Sequence, residues 1–288
     1  MVEIFYLDQR GNQLFQYCLG RILAQRLGFA LHAAPIPGFP GTMEVVKGLE
    51  SSGPLQEFQG HHIDLASISA DPSPRRIELR GWFQRYAYYQ PDKDTIRGWL
   101  QREPVAIVDR PHPRDLVVHV RRRDYLWHGW ALPFSWYERL IEQICFRDLI
   151  LVTDDPGDPF FWRFQRYKPI LRSQSSDADF DYLLAARQLA ISPSSFAWWA
   201  AFLGQAEWIG FPLPYEGIWA PNNLEGVDLR VWDESRYQQL PSVEPMRFNI
   251  IERIYFETLF YHRKSYYSTF KQLKAGFVSA FPGIAGTS

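Results

Sequence analysis

Leu116–Tyr125 reads LVVHVRRRDY, an apolar run that passes directly into a histidine, three arginines and an aspartate. The pattern predicts a strand that delivers concentrated positive charge to its own carboxyl end. Ligands of open α/β sheets bind outside the carboxyl ends of the strands, and guanidinium groups hold phosphate oxygens in paired, charge-assisted hydrogen bonds. The stretch therefore points to an α/β fold and to a phosphorylated or nucleotide-activated substrate. A solvated charge run at a strand end is the plainer alternative. Side chains on extended backbone alternate between faces, so Arg121 and Arg123 point one way and Arg122 the other, which suits clamping a ligand from two sides. The apolar residues that feed them read as a buried strand rather than an edge.

Working outward, the second half continues as strand, helix and strand: Leu116–Val120, a helix from about Ser135 to Ile144, then Asp148–Thr153 and the loop TDDPGDP. At these lengths the unit is a right-handed parallel one. A helix over Asp179–Gln188, a short strand Leu189–Ser192, a helix Ser194–Leu203 and a strand Ala206–Phe211 extend the same sheet. The chain opens in a similar way. Val2–Leu7 alternates as a strand, Asp8–Gly11 reads as a tight loop, and Asn12–Leu27 repeats Leu14, Phe15, Cys18, Leu19, Ile22 and Leu23 at helical spacing. Residues 33–90 suggest small strands and loops. Tyr86–Pro91 reads as a strand leading into a helix over Asp92–Gln101, and the prolines between Pro104 and Arg114 mark a boundary between lobes. The predicted division is 1–110, 111–245 and a helical tail, 246–288, whose helix spans Pro245–Phe277.

Composition narrows the class. A chain of 288 residues with 46% hydrophobic and 16% aromatic content suits two α/β lobes. A net charge of −1 argues against a general nucleic-acid binder, which carries a large basic excess. Cys18 and Cys145 each sit among apolar residues and read as small core residues. The start, MVEIFYLDQRGNQ, has neither the basic opening nor the apolar stretch of a signal peptide, and no run of about eighteen apolar residues occurs. A cytoplasmic protein is expected.

The chemistry-bearing residues gather in loops after predicted strands: Asp8–Gln13, His119–Tyr125 and Thr153–Asp158, with SPSSFAWW (Ser192–Trp199) opening a helix nearby. Ser194 and Ser195 stand at that helix start, where hydroxyls and free N–H groups either cap the helix or receive a phosphate. Asp154 and Asp155 are adjacent rather than spaced as a metal-binding pair, and Asp155 before Pro156 also fits a turn. No metal site is expected.

Four stretches, GNQLFQY (Gly11–Tyr17), HVRRRDY (His119–Tyr125), TDD (Thr153–Asp155) and DFDYLLAARQLAISPSSFAWWAAFL (Asp179–Leu203), occur in an order and spacing that resembles the α-1,2-fucosyltransferases, glycosyltransferase family 11. The similarity spans about residues 2–215. It implies a GT-B-type architecture, two Rossmann-like lobes facing a cleft with a C-terminal helix packing back across them. GDP-fucose would be held mainly by the second lobe and the acceptor by the first. The implied reaction is inverting transfer of L-fucose to the 2-hydroxyl of a terminal galactoside, with no obligatory metal or cofactor, in bacterial surface-polysaccharide or oligosaccharide synthesis. The acceptor would be a β-galactoside oligosaccharide or a lipid-linked glycan.

The family's His-x-Arg-Arg-Gly-Asp element is matched by His119, Arg121, Arg122 and Asp124, with Arg123 in place of the glycine. The resemblance places Arg121 on the diphosphate, where it stabilises the departing GDP more than the bound donor. Arg122 supports it or bonds a neighbouring loop. Gly11 and Asn12 match a donor-contacting loop, Ser194 and Ser195, with Phe196 beside them, cradle phosphate, and Asp154 and Asp155 bond guanine or ribose. Asp124 and His119 are the candidates for a general base, or else orient the arginines. The chain departs from the pattern at Asp8 and Gln9, at Pro193 for asparagine, Ala197 for serine and Gln188 for histidine. Trp82, Tyr86, Tyr88, Tyr89, Trp127 and Trp130 divide between core and sugar-stacking readings, with core favoured for most and Trp127 and His128 kept as acceptor contacts. The tail segment YHRKSYYSTFKQLKAGF either rests peripherally on an anionic inner membrane or packs back across the lobes. The competing functions are a transferase using another sugar nucleotide and a glycan- or nucleotide-binding protein without turnover.

Overall fold

The computed structural model describes residues 1–50, 53–102, 109–214 and 216–259. The first lobe carries, in chain order, β1 (Val2–Ile4), α1 (Arg10–Leu27), β2 (Leu31–His32), β3 (Leu55–Gly60), α2 (Leu65–Ala70), β4 (Arg76–Gly81) and α3 (Lys93–Trp99). The second carries β5 (Leu116–Val120), α4 (Arg123–His128), α5 (Phe134–Glu142), β6 (Leu149–Thr153), β7 (Ile170–Arg172), α6 (Ser176–Ala185), β8 (Gln188–Ala190), α7 (Ser195–Leu203), β9 (Trp208–Leu213) and β10 (Tyr237–Pro241).

Two parallel sheets result, a four-stranded one ordered β2-β1-β4-β3 and a six-stranded one ordered β10-β9-β8-β5-β6-β7. Every residue of β5 and β6 is buried, which is why both appear in the sequence as unbroken apolar runs. From β5 the chain winds outward through β6 and β7, then returns to the other side of β5 as β8. The strand order therefore reverses between β5 and β8, and in the first sheet it reverses between β1 and β4. Such switch points open a crevice at the carboxyl ends of the strands.

The expected architecture of two α/β lobes about a cleft is the one observed, with a closer union than two separate cores. One continuous core runs from Val2 and Leu79 of the first sheet through α1 and α7 to Leu189 and Ile209 of the second. At its centre the Phe15 ring lies 4.9 Å from the Trp198 ring and 4.8 Å from the Trp199 ring. A second cluster, including Val118, Trp136 and Phe164, fills the opposite face of the larger sheet.

Several expectations need correction. Tyr86–Pro91 is not a strand: Tyr86–Tyr88 and Gln90–Asp92 are tight 3-10 turns, and the Tyr86, Tyr88 and Tyr89 rings are buried. Cys145 is exposed, just beyond the end of α5, while Cys18 is buried as expected. The tail helix starts at residue 250 rather than Pro245, with Asn249 and Glu252 capping each other's backbone or side chain, and is described as far as residue 259. Within those residues it docks on the loop after β6, through Glu252 to Arg163 at 2.6 Å and Tyr255 to Asp155 at 3.0 Å. The basic aromatic segment 261–277 and most of the expected lobe boundary, 103–108, lie outside the described residues. Among the described residues no helix is long and apolar enough to cross a membrane.

Candidate active site

The carboxyl ends of both sheets open onto one cleft of about 960 Å³. Asp8 and Asn12 follow β1, His61 follows β3, and Trp82 and Gln84 follow β4. Opposite them, His119 is the penultimate residue of β5, Asp154 follows β6, and Ser194 to Phe196 follow β8. The volume is in the range of about 300–1,000 Å³ typical of sites for small organic ligands.

Arg121 is the organised cation of this cleft. Its two terminal nitrogens divide between two carboxylates, Asp124 Oδ1 at 2.6 Å and Asp154 Oδ2 at 2.8 Å, and its guanidinium lies 5.2 Å from the Tyr125 ring centroid. Held from both sides, it is oriented before any ligand arrives. Arg122 turns away from the cleft, as the alternation along the strand predicts. It is 1% exposed, donates from Nε to Asp158 at 2.6 Å and stacks 3.8 Å from the Phe160 centroid. Its backbone N–H donates to Asp154 at 2.9 Å, so the end of β5 is fastened to the loop after β6. Arg122 thus bonds the neighbouring loop after β6. Arg123 lines the cleft, is exposed, and takes φ of 24°, in the left-handed region where glycine is the unstrained residue.

His119 is buried with its Nδ1 2.7 Å from Ser192 Oγ. Burial, reinforced by the Arg121 charge, pulls its pKa down to about 3, so the ring is neutral and a weak proton acceptor. Asp124 is bound to Arg121. Asp124 thus bonds one of the arginines it was expected to orient, whereas the partner of His119 is Ser192.

Ser194 stands at the start of α7. It is the N-cap residue yet makes no side-chain cap bond, and its hydroxyl pairs with the Tyr125 phenol instead. Ser195 and Phe196, in the first turn of the helix, line the cleft, and no side chain caps that turn. Gly11 abuts this turn: a Cβ there would lie 2.6 Å from Ser195 Oγ and 2.7 Å from the Phe196 nitrogen. The Gly11 carbonyl accepts the Trp199 indole N–H at 2.9 Å. Across the cleft, Asn12 Oδ1 accepts from Gln84 Nε2 at 2.8 Å and Asn12 Nδ2 donates to Asp8 at 3.3 Å. Asp8, with φ of 59°, also accepts from the Trp82 indole.

Asp154 and Asp155 part company. Asp154 lines the cleft, whereas the Asp155 carboxylate accepts from the Tyr255 hydroxyl at 3.0 and 3.1 Å and does not line it. Burial raises the Asp155 pKa. The side chains diverge rather than converge on one point, and no group of three or more His, Cys, Asp or Glu suited to a metal occurs among the described residues.

Of the aromatic candidates, Trp82 and Trp130 line the cleft and Trp127 does not. Each of the two carries a stacked histidine: His61 on Trp82, centroids 5.3 Å apart at 18°, and His128 on Trp130, 4.5 Å apart at 22°. Asp179, the first residue of the fourth stretch and part of α6, also lines the cleft, as do His61, Gln84, Trp219 and Glu225, which were not legible in advance because tertiary folding alone carries them there from loops without a motif.

No protein-family model and no curated protein matches this chain. Among solved structures it is similar to a point mutant of Arabidopsis thaliana FUT1 in complex with GDP, at 11% identity over 76% of this chain and 71% of that one, with a TM-score of 0.44. At that level the likeness says nothing of activity.

Proposed function

We propose that the chain is an inverting glycosyltransferase that moves L-fucose from GDP-fucose to the 2-hydroxyl of a terminal galactoside. The observation that carries this reading is Arg121, clamped by Asp124 and Asp154 at the carboxyl end of β5 and facing the uncapped start of α7 at the switch point of the larger sheet. A diphosphate placed there meets a fixed guanidinium on one side and free N–H groups on the other. The sugar is assigned by the resemblance of the four motifs.

As the bond from the anomeric carbon to the β-phosphate oxygen breaks, charge accumulates on the departing GDP. Arg121, already oriented, stabilises that charge without a reorganisation step. On this reading Asp154 accepts from guanine or ribose. Asn12, tied to Gln84 and Asp8, presents the first lobe's polar edge to the transferred sugar. Trp82 and Trp130 supply flat apolar faces for an acceptor pyranoside.

The test is GDP release from GDP-fucose with a panel of β-galactosides, the product linkage read by NMR, for the unaltered chain and Arg121→Ala. An α-1,2-fucosylated product that disappears in the variant supports the reading. GDP binding without any transfer turns it toward a binding protein or another acceptor. Absence of GDP binding overturns it.

A further inference from the structure

An inverting displacement moves a proton off the acceptor hydroxyl, and most proton acceptors in the cleft are already engaged. Asp124 and Asp154 hold Arg121. Asp179 accepts from Arg172 at 3.1 Å and from the Gln174 N–H at 2.9 Å. Asp8 accepts from the Trp82 indole and the Asn12 amide. His119 is tied to Ser192. His128 is exposed on the second-lobe side.

His61 differs from all of these. It lines the cleft from the first lobe, directly after β3, and is 5% exposed. Stacking on Trp82 fixes the plane of its ring. Its Nδ1 is buried and makes no hydrogen bond. With Nδ1 out of contact with solvent, the ring nitrogen left to meet a ligand in the cleft is Nε2. Burial lowers the pKa of the ring, against a smaller opposing push from the charge of Glu225, which keeps the imidazole neutral and able to accept a proton. Glu225 also lines the cleft.

Resting on the GDP-fucose reading, we propose that the His61 imidazole takes the proton from the acceptor hydroxyl, with the Glu225 carboxylate countering the imidazolium that forms. In this step the acceptor oxygen bonds to the anomeric carbon as the bond to the β-phosphate oxygen breaks, its electron pair leaving on GDP. The hydroxyl proton passes to the imidazole and then to solvent. The acceptor is thereby a pyranoside that sets one hydroxyl against the imidazole of His61.

The experiment compares His61→Ala and His61→Gln with the unaltered chain, using GDP-fucose and lactose, and measures GDP affinity alongside. Both variants are expected to keep GDP affinity within roughly threefold and to lose about 10²–10⁴ in kcat, the usual span for a general base. Added imidazole is expected to restore part of the kcat of His61→Ala, which a merely structural role would not allow. His61→Gln keeps bulk against Trp82, so it decides the matter if His61→Ala no longer binds GDP. Unchanged kcat in either variant, or loss of GDP affinity in both, overturns the inference alone. If the unaltered chain binds no GDP, or binds it and transfers fucose neither to lactose nor to any other β-galactoside of the panel, the reading beneath falls and this one falls with it.

Discussion

Gly11 and Ser195 stand so close that a methyl group on the glycine would lie 2.6 Å from the serine hydroxyl. This contact joins the two lobes at the site itself, because Gly11 is in the first turn of α1 and Ser195 begins α7. The motifs that carry the family resemblance thus touch one another. Phe15 of the first packs on Trp198 and Trp199 of the last, and Trp199 donates to the Gly11 carbonyl. The second glutamine of GNQLFQY, Gln16, bonds both the N–H and the carbonyl of Leu7 and so fixes the end of the chain leaving β1. Much of what looks like a donor motif is therefore the joint between the two lobes.

Gly11→Ala is expected to destabilise the fold by about 1–3 kcal/mol, the usual effect of overpacking, since the nearest atoms include backbone that cannot rotate aside. The same shift moves the start of α7 and weakens GDP binding. Urea denaturation and calorimetric titration with GDP report the two effects; an alanine variant with native stability and affinity would show that the joint has slack.

The two neighbouring arginines are expected to separate stability from function. Arg122→Ala leaves the buried Asp158 carboxylate without its partner and should lower stability by about 3–5 kcal/mol. Arg121→Ala removes a partly exposed clamp, should change stability by no more than about 1 kcal/mol, and should abolish turnover. Denaturation midpoints and kcat for both variants test this, and a reversed pattern would assign the diphosphate to the wrong arginine.

The same contrast explains what could be read ahead of the structure. β5, β6 and α7 are buried throughout or nearly so, and burial writes itself as continuous apolar sequence. Tyr86–Tyr89 misled because tyrosine favours strands, whereas here the rings are drawn into the core by 3-10 turns that no periodicity announces. α4 was missed because it starts at Arg123 in the left-handed region, inside a charge run that reads as extended. Asp155 looked like its neighbour Asp154 until Tyr255, 100 residues away, claimed it. His61 could not be singled out at all. Its place in the cleft depends on the end of β3, a strand without alternation strong enough to find.

His119 predicts an acid limb in the stability curve. Its folded pKa, about 3, lies below the unfolded value near 6.5, so the unfolded chain binds the proton that the folded chain refuses. Stability from this group is full above about pH 6.5 and falls as pH drops toward about 3, by at most about 1.4 kcal/mol per pH unit. His61 is shifted in the same direction and adds to the slope. His119→Asn, which can still bond Ser192 without titrating, should flatten the limb. Urea midpoints measured from pH 7 down to about pH 4 would sink this account if the two curves ran parallel.

Arg123 takes φ of 24°, a backbone conformation that glycine adopts without strain. A non-glycine residue held in the left-handed region is strained by about 1–3 kcal/mol, while glycine adds about 0.5–1 kcal/mol of chain entropy to lose on folding. Arg123→Gly should therefore stabilise the protein by roughly 1 kcal/mol, whereas Arg123→Ala, which keeps the strain, should not. The exposed guanidinium also faces the cleft, and among the described residues it forms no salt bridge. Both substitutions should weaken GDP binding roughly two- to fivefold, the worth of one exposed charge pair. The stability difference between glycine and alanine isolates the backbone, and their shared change in GDP affinity isolates the charge. Equal stability of the two variants would mean that the backbone relaxes at this position without needing glycine. Unchanged GDP affinity in both would mean that the arginine serves a part of the cleft remote from the diphosphate.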